Sequence, residues 1–524
     1  MKNPTPIDVL VVGAGPAGTA LAVDLARRGL SIRIVNKAPQ AFEGSRAKGV
    51  QPRTLEVLGD LGVLDDVLEG GSLYPKLALH VGPIAVPKRM MPDKQPTADV
   101  PYPNTWLIPQ NRTDRALHAR LTSLGVSVEF GRELVELSQD AEYVTARIAD
   151  ENGIEEITAR YLVGADGGSS AVRKKLGIEF TGTTDEAERL YIVDAATTGL
   201  SRDRWHMWPL PRGRFTGACP LPHSDVFQWM LRLGPDEKPP ADAKELTDRI
   251  RAHTHNSKIT LHLIHWTSVF RPNIRLAEHY RSGRAMIVGD AAHVHPPAGA
   301  QGLNTGIQDA YNLGWKLAQV LAGADPVLLD TYEAERQPIA AGVLGLASEK
   351  FSGMAKLDPS SIKRGKDEQQ LALSYFGGPL ASPEADQTST LRVGDRAPDA
   401  DLRGVGGPVK LFDALFGEHF TAIAYGPHSA DALARLPWPS EGAPLKRVSI
   451  DAAGPHLDLA LTDPDGTFKR IYGVRGDTLL LIRPDGYLGH IATGSFLDST
   501  RSWTRAVTPA TAENVAAGSG GATV

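Results

Sequence analysis

One cysteine, Cys219, in 524 residues leaves no partner for an intramolecular disulfide, no cysteine-cluster metal site and no dithiol redox centre. That usage fits a reducing, cytoplasmic setting. No run of about 18 uninterrupted apolar residues occurs, so no transmembrane helix is expected. The N-terminal apolar run is strand-length and is broken by Asp8 and Gly13, which is not the layout of a secretory signal. A net charge of −5 with interspersed signs lacks the concentrated basic stripe that a phosphate backbone needs, so nucleic acid is not an expected partner. His253, His255, His262 and His265 come without carboxylate–histidine ligand spacing. His262 and His265 are three apart, on opposite faces of a strand, so no metal is expected.

What the chain does have is apolar material for large cores, 42% hydrophobic against 22% charged residues, at a length that suits two to four domains. Ala285 to Val288 is a short apolar run ending in Gly289-Asp290, which puts a carboxylate at the tip of a buried strand. A Pro/Gly-rich loop follows, holding His293, His295, Pro296 and Pro297. It leads into Gln301-Gly302-Leu303-Asn304 and a helix through Ala322, with apolar or small residues at Ile307, Ala310, Tyr311, Gly314, Leu317, Ala318 and Leu321. That spacing predicts one core face and a helix N-terminus aimed back at the loop, where unpaired N–H groups suit a ligand that becomes an anion. A reduced flavin is such a ligand. Asp290 can then accept from ribityl hydroxyls, while Gly299 and Gly302 admit a flat ring system.

Ile7 to Val12 reads as a strand, Gly13-Ala-Gly15-Pro-Ala17-Gly18 opens a helix through Arg28, and Ile32 to Val35 is a second strand. In that context the glycine pattern is a dinucleotide fingerprint: Gly13 for the turn, Gly15 for the pyrophosphate, Gly18 for helix-on-strand packing. The acidic residue expected about 20 positions on is replaced by Asn36, followed by Lys37. An amide can hold a ribose, but without the charge-assisted bond. A second strand-tip aspartate, Asp166, stands in Gly164-Ala-Asp-Gly-Gly and precedes another short helix. Arg46, in the loop before a helix from Thr54 to Leu61, is within reach of a flavin edge or a phosphate, although on residue type alone it reads as a surface arginine. Trp205 to Leu210, Arg214 to Leu221, Val226 to Leu231 and Ile259 to Phe270 read as antiparallel strands. Such a sheet can wall a substrate site with Trp205, Met207, Phe227 and Trp229, or those four can be its core.

With these motifs the chain resembles the single-component FAD-dependent aromatic hydroxylases, the group A flavoprotein monooxygenases, in their phenol and aromatic-polyketide branch. Gly13-x-Gly15-x-x-Gly18, Asp166-Gly167, Gly289-Asp290-Ala-Ala-His293 and Gln301-Gly302-Leu303-Asn304 carry it. Ser45-Arg46-Ala47, Gln110-Asn-Arg112 and Gly394-Asp-Arg-Ala-Pro398 support it. The resemblance implies an α/β fold in which a Rossmann-like FAD-binding domain (1–73, 103–180 and 271–350) is interleaved with an antiparallel substrate sheet (74–102 and 181–270). A linker (351–390), a thioredoxin-like domain without a Cys pair (391–512) and a disordered tail (513–524) complete it. Gly13, Gly15, Ala17, Gly18, Asn36 and Lys37 would hold the ADP half of FAD, with the Leu134 backbone near adenine. Arg46, Gln110 and Asp290 would hold its middle, and Gly302, Leu303 and Asn304 the flavin. Asp166 belongs to a motif linked to FAD and nicotinamide. Arg46, Pro296 and, more weakly, His293 are the catalytic candidates.

The implied reaction uses NADPH or NADH, FAD and O2 to hydroxylate an aromatic substrate through a C4a-hydroperoxyflavin. Oxygen insertion beside a ketone is the alternative outcome, and a non-enzymatic flavin-binding sensor the remote one. The thioredoxin-like unit is a candidate support for a homodimer, with no residue-level argument for it.

Overall fold

The computed structural model describes residues 5–82, 84–88, 93–185, 188–234, 236–295, 301–355, 369–381 and 386–509. The expected active-site Pro296, with Pro297 and Gly299, and the tail 513–524 lie outside the described residues.

The strand Ile7–Val12 lies between two parallel neighbours, Gly153–Gly164 and Ile32–Asn36. Ala285–Ile287 extends the sheet on one side and Val128–Phe130 on the other. Val9, Leu10, Val11, Ile34, Leu162, Val163, Met286 and Ile287 are all fully buried, as a parallel sheet covered on both faces requires. The register sets Ile287, Gly164, Val12, Val35 and Glu129 in one row across the sheet. Gly289-Asp290, Ala165-Asp166, Gly13 and Asn36 therefore leave the sheet along the same edge, the carboxyl edge at which open α/β sheets bind ligands.

The helices Pro16–Arg27 and Gly302–Leu321 pack against each other beside this edge. Their approach is close: a Cβ on Gly314 would stand 2.1 Å from a carboxylate oxygen of Asp24. The Gly302–Leu321 helix departs from the single core face its spacing predicts. Almost every position from Asn304 to Val320 is buried, including Gln308, Asp309, Asn312, Lys316 and Gln319. These polar groups are affordable because each is paired from outside the helix or along it, as with Gln319, which donates to Val507 C=O and accepts from Ala443 N–H.

A second, seven-stranded sheet runs Thr260–Phe270, Arg189–Thr198, Val226–Leu233, Phe215–Pro220, Arg204–Pro209, Lys76–Val81 and Ile84–Lys88 in spatial order. One face packs on the helix Ala243–Thr254 through Leu246 and Ile250. That helix starts at Asp242, whose carboxylate accepts from Glu245 N–H at 2.8 Å.

The C-terminal unit is built on Leu459–Leu461, Leu445–Ile450, Phe420–Tyr425, Thr478–Ile482 and Leu488–Ala492, the first three parallel and the last two antiparallel. Alternation divides its sheet between two cores. Ile423, Leu480 and Ile482 face an internal cluster, while Ala422, Ala424 and Leu481 join the core of the nucleotide sheet, where Phe420 meets Trp315 edge-on at 5.5 Å. No helix among the described residues is long and apolar enough to cross a membrane.

Candidate active site

The three fingerprint glycines meet different surroundings. Gly13 has φ +109°, and a Cβ there would stand 2.3 Å from Ala165 O. A Cβ on Gly18 would stand 2.0 Å from Gly13 O, so this glycine serves helix-on-strand contact. A Cβ on Gly15 would meet nothing within 4 Å. Gly15 thus leaves open space beside the chain. It opens at the start of Pro16–Arg27, which has no side-chain cap and no acid in its first turn. The Gly302–Leu321 helix is equally bare at its start. Two long helices therefore present uncapped N–H groups near one sheet edge, which favours two negatively charged portions of a ligand. The Ala17 side chain packs toward Gly289 and Gly306, so what Ala17 offers a ligand is backbone.

Asn36 ends its strand half-buried, its carbonyl accepting from Arg132 N–H at 2.9 Å. Lys37 beside it is exposed. Leu134 is buried two residues beyond Arg132. Gln110 opens the helix Gln110–Ser123, donates from its backbone to Ala47 C=O at 2.8 Å, and turns its side-chain oxygen toward Ala47 N–H at 3.4 Å. Its amide donates in turn to Asp114, a carboxyl that burial pushes up to about 7. Gln110 is thereby fixed against the Arg46 loop. Arg46 comes to 3.8 Å from Asp290, both side chains substantially exposed.

Four expectations change. Asp166 is not the twin of Asp290: its two oxygens accept from Ser170 Oγ and from the N–H groups of Ala171 and Val172, so the carboxylate caps the helix Ala171–Lys175. His293 is buried, its Nε2 2.6 Å from Asp309, whose other oxygen accepts from Arg336 at 2.7 Å. Burial would raise the Asp309 pKa, but His293 and Arg336 hold it below the usual carboxylate range. His293 thus anchors the loop to two helices. The amide of Asn304 is turned to the chain, accepting from Gln51 N–H at 2.7 Å and donating to Gly49 C=O at 2.8 Å. Gly302 and Leu303 stay in the bare first turn.

The fourth change concerns the substrate wall. Phe227 and Trp229 are fully buried on the sheet face that packs on Ala243–Thr254, with Trp208 stacked against Trp229. Successive strand residues point to opposite faces, so the wall facing the nucleotide domain carries Gln228 and Met230 instead. Trp205 and Met207 share that side by the same alternation. Phe215, Ile192 and Leu190 pack there with Met230, Trp266 and Phe270. The loop before Arg46 meets it directly: Phe42 stands edge-on to Trp266 at 5.5 Å, and Ser45 donates from N and Oγ to Asp194, both at 2.6 Å.

Lys48 is the site residue the sequence did not flag. Its ammonium donates to Gln228 Oε1, lies 3.9 Å from Met230 Sδ and stands 4.9 Å over the Trp205 ring. Its one sequence signal is position, a lone cation two residues past Arg46 in a stretch that is otherwise small or apolar as far as Val50.

A model of the FAD binding domain family matches residues 6–347. Over 493 residues the chain is 39% identical to a flavin-dependent monooxygenase of Mycobacteroides abscessus, covering 92% of this chain and 96% of that one. This chain belongs to the FAD-dependent flavoprotein monooxygenases. Another relative of the monooxygenase is the 6-methylpretetramide 4-monooxygenase of Streptomyces rimosus, 32% identical over 92% of this chain and 90% of that one. Among solved structures it resembles aklavinone-11 hydroxylase in its ternary complex with FAD and aklavinone, at a TM-score of 0.80 and 27% identity, covering 96% and 99% of the two chains. The monooxygenase PieE, solved with FAD and substrate, superposes at a TM-score of 0.84 with 25% identity over 96% and 99% of the chains. FAD fits this monooxygenase: the cleared space over Gly15 and the two bare helix starts suit a pyrophosphate and an anionic ring edge.

Proposed function

We propose that the monooxygenase takes electrons from NADPH or NADH and places one atom of O2 on an aromatic, phenolic or polyketide-like substrate. The observation that carries this reading is the sheet face bearing Trp205, Met207 and Met230, set against the loop that holds Arg46 and Lys48. The names of the relatives point the same way, among them anhydrotetracycline and pentachlorophenol monooxygenases. When bound, FAD supplies the reducing centre at which O2 is activated. The chain then has three tasks. Gly13, Gly15, Gly18, Asn36, Lys37 and the Leu134 backbone hold the ADP half. Arg46, Gln110 and Asp290 orient the middle of the cofactor, and the start of Gly302–Leu321 favours negative charge on the ring system. The apolar sheet face excludes water from the reaction.

The remaining assignments are part of the same proposal. The described residues of the expected 391–512 unit, which run to 509, form a thioredoxin-like unit without dithiol chemistry, which the mixed five-stranded sheet and the single cysteine support. The protein acts in the cytoplasm. The test is NADPH oxidation by FAD-loaded protein with and without a panel of phenols, naphthoquinones and polycyclic aromatic polyketides, with products read by mass. One compound that speeds oxidation and gains one oxygen is the expected result. Flavin that NADPH and NADH both fail to reduce, with or without the panel, overturns the proposal.

A further inference from the structure

The helix Gln110–Ser123 carries Gln110, Asp114 and His118 one turn apart along a single face. The outer two mark where that face looks. Gln110 is fixed against the Ala47 backbone, next to Arg46, and His118 Nε2 lies 3.2 Å from Ala14 O, inside the glycine fingerprint. Asp114 thus lies between the Arg46 loop and the Gly13–Gly15 turn, the interval that the ribityl chain and pyrophosphate of FAD would bridge.

Asp114 is 3% exposed. Its Oδ2 accepts from the Gln110 amide at 3.3 Å, while Oδ1 is buried and, among the described residues, has no partner. No cation turns to it. The helices packed against Gln110–Ser123 carry Asp24, Arg27 and Arg28 on one side and Asp65, Asp66 and Glu69 on the other. Arg27 and Arg28 are spent on Asp24. Arg112 is spent on the carbonyls of Gly70 and His223, Arg120 on that of Leu61, and Arg115 is exposed. From the neighbouring loop Arg46 turns to Asp290 and Lys48 to Gln228. Burial therefore pushes the Asp114 carboxyl up to about 7, with only the Gln110 amide pulling it down. An ionised carboxylate with a buried unpaired oxygen and no counter-charge is costly, and a pyrophosphate beside it makes it costlier. With a proton on Oδ1 the same group becomes a donor, and an anionic dinucleotide offers it an acceptor.

We propose that Asp114 binds FAD as a neutral acid: Oδ2 holds the Gln110 amide, Oδ1 donates its proton to an oxygen of the ribityl-pyrophosphate stretch, and FAD binding takes up a proton where Asp114 is otherwise ionised. This rests on the placing of FAD against Gln110 and the fingerprint glycines, and adds the proton that goes with it. The proton comes from water and returns to it when FAD leaves, with no covalent bond of the cofactor changed. Ionisation of Asp114 removes the donor and sets a second anion against the pyrophosphate, so affinity falls as pH rises through about 7. His118 does not share in this, because burial holds its pKa below the ordinary 6.5 and leaves it uncharged over that range.

Holoenzyme is diluted at a series of pH values and the FAD released is read by flavin fluorescence. Calorimetric titration of FAD into the full-length apoprotein, in two buffers of different ionisation heat, counts the protons exchanged. From one pH unit below the Asp114 midpoint to one above it, the Kd of native protein rises about tenfold, and above the midpoint about one proton is taken up per FAD. Asp114→Asn keeps the shape and has no proton to lose, so its affinity is flat with pH and its proton count falls to zero. A side chain that served packing alone would alter melting and leave the proton count untouched. A flat native profile without proton uptake, or an Asp114→Asn protein that keeps the native slope, overturns the proposal; should that variant fail to fold, the native profile and proton count decide. Gly15→Ala is measured alongside. Weaker FAD binding by Gly15→Ala together with a flat native profile counts against Asp114 alone, and native-like FAD binding by Gly15→Ala counts against the placing of the cofactor.

Discussion

Replacing Glu335 by Gln removes one charge from the seam between the C-terminal unit and the helices beneath it. Glu335 accepts from both terminal nitrogens of Arg483 at 2.6 and 2.9 Å, from Lys316 at 2.7 Å and from Asn312 at 2.8 Å. Its side chain and that of Lys316 are wholly buried. Burial alone would raise the Glu335 pKa, but Arg483 and then Lys316 hold it at about 2 instead of its ordinary 4.5. At about 1.4 kcal/mol per tenfold change in proton affinity, that drop is worth about 3 kcal/mol. Breaking a buried pair by removing one partner costs a similar 3 to 5 kcal/mol, roughly.

The two sides of this cluster move unequally. Lys316 is brought down to about 8, because burial and repulsion from Arg483 outweigh the pull of Glu335. The Arg483–Glu335 fork therefore carries the attraction, and Lys316 is held at a cost. Because the folded pKa of Glu335 is depressed, its contribution is fully present above 4.5 and is lost as pH falls toward about 2. Urea unfolding followed by tryptophan fluorescence, which Trp315 beside Arg483 should report, is expected to show the variant about 3 kcal/mol less stable at pH 7. The gap between native and variant should narrow between pH 4.5 and about 2. A loss under about 0.5 kcal/mol, the size of a surface change, or a gap that does not vary with acid, would falsify the account.

Gly15→Ala and Gly18→Ala separate cofactor space from chain packing: the first should leave apoprotein melting nearly unchanged and weaken FAD binding about tenfold or more. The second should destabilise the apoprotein by about 1 to 3 kcal/mol or more, since its Cβ would stand 2.0 Å from Gly13 O. Trp229→Ala should cost about 3 to 5 kcal/mol of stability. Its product distribution should match the native one, and altered regiochemistry would return Trp229 to the substrate wall. Asp290→Ala should lower the FAD retained after dialysis, and unchanged retention would remove Asp290 from the site.

The nucleotide sheet was legible because its signals are local. A six-residue strand with only Asp8 polar, three glycines at fixed spacing and a helix follow one another within Ile7–Arg27, and steric rules on φ and Cβ act over that distance. The place of the two aspartates at strand tips was legible for the same reason, and Arg46 comes to 3.8 Å from Asp290. The helix Ala243–Thr254 carried a readable sign in Asp242-x-x-Glu245, an N-cap pattern.

The chain alone determined which segments are strands and helices at the cofactor edge, and that a flavin nucleotide would suit them. Tertiary structure decided the rest, because it concerns faces and partners. Phe227 and Gln228 differ by one place, yet the pleat sends one into the core and the other toward Lys48, and only the sheet's neighbours say which side is which. Asp166 and Asp290 look alike in sequence, but one caps a helix and the other meets Arg46. Buried Lys316 and Gln319 would be surface residues by helical spacing, and they are interior because Glu335, from the next helix, takes the Lys316 ammonium and the C-terminal unit supplies the Val507 carbonyl and Ala443 N–H to Gln319. Charge burial is settled by which groups arrive from elsewhere in the chain, and no local pattern records their arrival.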